Sequence, residues 1–168
     1  FGGAVGGRLG LAGLSTDAGG TTVIKGGIVV TNGDAQSYGD PVTFVGDTAA
    51  TANVVLNAGG GPIVFTSTVD GAVSLNAATA GSTTFRAAVG NTAPLLGLVV
   101  EAAGTTTLGG GSLSAGSVEF RNAVTLDVPT TLTVQGLRFG GTVDGGSPLT
   151  IAAGRGNVEF AGAVGGQA

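Results

Sequence analysis

Seven times in this 168-residue chain an aromatic residue is followed by two variable positions, then Ala, Pro or Thr, then Val. The copies are FGGAV at Phe1, YGDPV at Tyr38, FTSTV at Phe65, FRAAV at Phe85, FRNAV at Phe120, FGGTV at Phe139 and FAGAV at Phe160. Six of the seven Phe residues and the only Tyr occupy its first position, which chance does not arrange. A short unit cannot bury an apolar face alone, so its recurrence restricts the chain to stacked supersecondary repeats. Aliphatic residues extend the series: Ile24 in AGGTTVIKGG stands as far beyond Phe1 as Leu108 in AAGTTTLGGG stands beyond Phe85. The anchors then fall at offsets 0, 23, 37, 64 and 84 from Phe1, and at 0, 23, 35, 54 and 75 from Phe85. The remaining Phe44, in VTF, matches the VTL that ends at Leu126. One β domain is expected, made of two long repeats, 1–84 and 85–159, with 160–168 opening a third.

Eight steps from Phe1 to Phe160 give units of roughly 20 residues, in the range of stacked repeat architectures. Val, Leu, Ile and Thr favour strands, and no stretch carries a 3.6-periodic apolar stripe over three turns. The aromatic and the Val share parity, which reads as two inward residues of one strand. The Gly, Asp or Asn that follows supplies a turn with positive φ. The expectation is an all-β parallel solenoid of about eight coils, on the order of 40 Å long at about 4.8 Å per coil. Phe1, Tyr38, Phe65, Phe85, Phe120, Phe139 and Phe160 would form one internal stack. Outside it, Glu119, Arg138 and Glu159 each precede a motif in three consecutive coils, predicting a surface charge ladder.

Composition separates this chain from disordered Gly-rich sequences. It has 35 Gly, but 42% apolar residues, a mean hydropathy of +0.48 and a net charge of only −4. Disordered chains combine low hydropathy with high charge. Six unclustered cationic residues make nucleic acid an unsuitable partner. No apolar run is long enough to insert into a membrane as a helix.

The phrase Val-x-Phe-x-Gly-Ala-Val-Gly-Gly, with Leu-rich runs, AGGTTT turns and a Gly-Ser lead-in, resembles the β-strand repeats of very large bacterial exoproteins. These are filamentous-haemagglutinin-like and autotransporter-type passengers. The resemblance covers the whole chain and is one of repeat style. It implies a right-handed parallel β-helix, secretion from a Gram-negative cell to the extracellular space or cell surface, and a role as stalk, adhesin or biofilm-matrix fibre. Further copies of the repeat, and host or matrix glycans, are the partners it implies.

Chemistry is sparse. Without His or Cys the usual nucleophilic triads and thiolate metal sites are absent. Asp70 and Asp144 share a TVDG context, but lie four coils apart in this reading, about 19 Å. Glycosidase pairs need about 5–10 Å. Asp34 and Asp40, in NGDAQSYGD, read as residues of a hairpin-like loop rather than calcium ligands. Neither a catalytic residue, a cofactor site nor a metal site is assigned, and the chain is expected not to be an enzyme. The alternative is a polysaccharide-binding or polysaccharide-acting β-helix, its groove on the long insert at 45–62. Less favoured is an ice-binding face built from the Thr pairs at 21–22, 83–84, 105–106 and 130–131. Because the opening phrase recurs at Phe160, both end coils are expected to be uncapped and to stack head to tail into filaments.

Overall fold

A computed structural model describes residues 1–46, 52–101 and 103–166. These form eighteen strands and no helix. Every strand pairing is parallel, as a solenoid requires. Each coil has three walls, visited in a fixed order.

The first wall stacks Leu14–Thr16, Gln36–Tyr38, Ile63–Phe65, Thr83–Phe85, Thr105–Leu108, Ala123–Leu126 and Val143–Asp144 in one seven-stranded sheet. The second begins with Thr22–Ile24, Val42–Phe44 and Val69–Asp70, and continues through bridges from Val69 to Val89 and from Val89 to Leu113. The third holds Ile28–Val30, Asn53–Gly59, Ser74–Thr79 and Leu95–Val100. Higher up, Ser112–Phe120 and Thr130–Phe139 run through the second wall into the third without a break, and Leu149–Ala152 and Val158–Phe160 both pair with the latter. In these long strands burial alternates on one parity, then switches at Gly116–Ser117 and at Gln135–Gly136. Two successive outward residues there bend the strand around a corner; the ladder skips the pair Gly116 and Gln135 and resumes in the same register.

The repeated motif is itself a corner. Its aromatic ends one strand, and its Val lies at or next to the start of the strand or bridge on the next wall: Phe65 and Val69, Phe120 and Val124, Phe139 and Val143. Both residues point inward, as their shared parity predicts, but they belong to different strands, with the bend between them. After the Val, Gly71 (φ 136°) and Gly145 (φ 133°) adopt the positive φ expected of the VDG turns.

Two corrections follow from the three walls. The aromatics form two stacks, not one. Tyr38, Phe65 and Phe85 stack on the first wall, with ring centroids 5.1 and 5.2 Å apart and planes within 11°. Phe120, Phe139 and Phe160 stack on the third, at 5.4 and 5.1 Å. Above Phe85 the first-wall column continues as Leu108 and Leu126, while Phe120 stands on Val100. Phe1 is in neither stack. Its amino group donates to Val23 O and its carbonyl accepts from Lys25 N, which sets it beside Ile24 on the second wall. The coil count changes for the same reason. The steps from Ile24 to Tyr38 and from Leu108 to Phe120 cross only two walls, so the path makes about seven turns rather than eight.

The two long repeats map onto one another with a rotation. Phe85 and Leu108, the second copies of Phe1 and Ile24, stand on the first wall rather than the second. Phe120 and Phe139, the second copies of Tyr38 and Phe65, stand on the third wall rather than the first. Leu126 replaces Phe44 with the same shift. Every anchor moves back by one wall, because a long repeat is one wall short of four turns.

The core is a continuous column of Val, Leu, Ile and aromatic side chains within the walls. Gln36 and Tyr38 are hydrogen-bonded within it. Gln36 Nε2 donates to Val29 O and Asn57 O, and Tyr38 Oη donates to Gln36 Oε1 at 3.1 Å. Burial raises the Tyr38 hydroxyl well above the usual phenol range.

Candidate functional site

Three features on the outside of the rod bear on function. The first is the charge ladder. Register places Glu119 opposite Arg138, and Arg138 opposite Glu159, on the outward face of the third wall. Arg138 Nη1 lies 3.3 Å from Glu119 Oε1, and its Nε lies 3.3 Å from Glu159 Oε1. The structure adds Arg121, whose guanidinium bridges Glu101 and Glu119 at 3.0 Å each. The hydrogen bond from Arg121 lowers the Glu119 pKa, with smaller contributions from the charges of both arginines. Glu119 and Glu101 in turn raise the Arg121 pKa. Arg121 escaped the sequence reading because it follows the aromatic while the predicted ladder precedes it; the side chains cross the strand end to meet. Exposed pairs contribute about 0.2–1 kcal/mol each, so the ladder pins register more than it stabilises.

The second feature is the set of carboxylates. Asp70 follows Val69 on the second wall and Asp144 follows Val143 on the first, nearly four turns apart, so they do not converge. Asp70 Oδ1 accepts the backbone amides of Thr92 (2.7 Å) and Ala93 (3.0 Å), the bonding of a turn residue. Asp34 is exposed in a turn that enters a parallel strand, so the expected hairpin-like loop is absent. Asp40 is buried at the corner after Tyr38, where its Oδ1 accepts the hydroxyls of Thr22 (2.6 Å) and Thr16 (3.0 Å). The Thr22 bond foremost lowers its pKa. Asn122 holds the equivalent motif position, accepting from Thr106 Oγ1 at 2.8 Å. These corner staples were hidden in the sequence, because Gly, Ser and Ala fill the same position in other copies. Among the described residues no three His, Cys, Asp or Glu side chains gather as a metal site.

The third feature is surface relief. Of the expected groove at 45–62, residues 47–51 lie outside the described residues. The remainder joins the third wall as Asn53–Gly59 and forms one end of a shallow furrow lined by Ser74, Gly97 and Ser117. Each Thr pair has one member buried, as Thr22, Thr83, Thr106 and Thr130 show, which leaves single columns rather than a paired hydroxyl lattice. On the first wall Thr84, Thr107 and Thr125 share one outward column. Beside it, at the corner, a notch of about 480 Å³ is lined by Thr84, Arg86, Thr107, Gly109, Asp127 and Val128.

No known protein family, characterised protein or solved structure matches this chain.

Proposed function

We propose that this chain is a non-catalytic structural segment of a secreted or cell-surface bacterial fibre, of the filamentous-haemagglutinin-like kind its repeat style resembles. The observation that carries the reading is the state of the last coil. Phe139, between Phe120 and Phe160, is 0% exposed; Phe160, with one neighbour, is 40% exposed beside Val158 at 39% and Val164 at 57%. A further parallel coil of the same kind satisfies the ring, the valines and the strand edge at once. A second copy of the chain stacked head to tail supplies such a coil, in a heterologous contact that grows along the rod axis as a filament. Adhesion to host or matrix glycans, outside the cell and without nucleic acid or membrane insertion, is the role such a fibre serves.

Light scattering and electron microscopy of the 168-residue chain test this. Scattering should rise steeply with concentration, and Phe160→Glu with Val164→Lys should abolish the rise. A chain that stays monomeric at high concentration with an ordered last coil refutes self-assembly. Polysaccharide turnover that disappears in Asp70→Asn or Asp144→Asn would overturn the non-catalytic reading.

A further inference from the structure

We propose that the corner notch at Gly109 is a binding subsite for a neutral saccharide unit, a role that does not depend on the fibre reading. Several charges elsewhere on the rod have protein partners. Glu101, Glu119, Arg121, Arg138 and Glu159 pair with one another, and Asp40 and Asp70 are held by hydroxyls and amides. The side chains of Arg8, Asp17, Lys25, Asp34, Arg86, Asp127 and Arg155 have none among the described residues, and of these Arg86 and Asp127, opposite in sign, line one notch together. Both are exposed.

Register explains why they stay apart. Phe85, Leu108 and Leu126 are stacked partners, so the residues that follow them, Arg86, Gly109 and Asp127, occupy one corner on three successive levels. Two rungs separate their backbone positions by about 10 Å, the length of a disaccharide, and the Asp127 carboxylate leans over the middle level. Gly109 leaves the middle level open. The backbone does not demand glycine there. Its φ is not positive, and a Cβ would meet Phe85 O at 3.5 Å, Arg86 Cα at 3.7 Å and Asp127 Oδ2 at 3.9 Å, all ordinary contacts. At the neighbouring Gly110, by contrast, a Cβ would collide with the Ala87 carbonyl. Packing therefore accounts for Gly110, and not for the open floor at Gly109.

The lining suits a polyol. A guanidinium donates a fork of N–H groups to two adjacent oxygens, and a carboxylate accepts two O–H groups from a vicinal diol. The Thr84 and Thr107 hydroxyls both donate and accept, and Val128 gives an apolar flank. One positive and one negative group face the notch, while the chain carries −4 overall. That field disfavours an acidic glycan and leaves a neutral one unpenalised.

The test is a titration of the ¹⁵N-labelled chain with cellopentaose, maltopentaose and laminaripentaose, and with a heparin octasaccharide as the acidic comparison. At least one neutral probe should shift the amides of Thr107, Gly109 and Val128 saturably, in the millimolar range. Arg86→Gln and Asp127→Asn should each weaken that binding about tenfold. Gly109→Leu, which fills the notch, should abolish it, while Gly109→Ala keeps the fold and weakens binding less. The proposal is overturned if no neutral probe gives saturable shifts, if heparin alone does, or if binding survives both charge substitutions.

Discussion

Thr83 shows how little room a solenoid wall leaves for error at single positions. Its side chain is fully buried between Ile63 and Thr106 on the first wall, and its hydroxyl has no partner among the described residues. A buried unsatisfied hydroxyl costs about 1–3 kcal/mol. Thr83→Val keeps the shape and removes the cost, so urea denaturation should show the variant more stable by about 1 kcal/mol. Asp40 is the opposite case, a buried carboxylate with two hydroxyl donors. Its pKa is lowered in the folded chain, so its contribution is present above the unfolded value of about 3.9. That contribution is lost as pH falls through the folded value. Wild-type stability should therefore decline below about pH 4, and Asp40→Asn should flatten part of that decline. Melting temperatures measured from pH 2 to 7 check this; identical profiles would mean the staple is energetically silent.

Among elements, the corner motif sets the strands' lengths and the identity of the core. Each copy ends one wall with an aromatic and opens the next with Val. The stack formed depends on how many corners separate successive copies, not on the residue count alone. Phe120 lies between Val100 and Phe139 and is fully buried. Phe120→Ala should cost about 3–5 kcal/mol, as truncation of a core aromatic does. Phe160→Ala, at the uncovered end of the same stack, should cost clearly less. Equal losses by denaturant titration would show that stacking within the column is not what holds these strands. The third-wall ion pairs belong to the same scale: they fix which rung faces which, since a slip by a single position would bring Glu119 opposite Leu137 or Phe139 instead of Arg138.

At the scale of the whole molecule, the wall-by-wall rotation of the repeats governs how the rod presents its surface. Because a long repeat falls one wall short of four turns, its second copy lays equivalent residues on a different side. The column of Ser37, Val64 and Thr84 before Tyr38, Phe65 and Phe85 becomes the charge ladder before Phe120, Phe139 and Phe160. No single side of the rod therefore carries one uniform chemistry, and this is unfavourable to an ice-like face. It favours local sites such as the notch, formed where unrelated residues of successive coils meet.

The sequence alone determined the class of fold. Strand-favouring residues, a repeated inward pair and a unit of about 20 residues leave stacked parallel coils as the arrangement that buries their apolar faces. It also placed Ile24 and Leu108 beside their partners and predicted the Glu119, Arg138 and Glu159 column, because register propagates rigidly from one rung to the next. What only the tertiary structure decided is how the coil closes. The linear spacing from Ile24 to Tyr38, or from Leu108 to Phe120, does not say whether the chain has crossed two walls or three, since corner and strand lengths trade against each other. That choice, made by packing around the axis, split the aromatics into two stacks and brought Arg121 to Glu119. It also set Arg86 and Asp127 on one corner with a glycine between them.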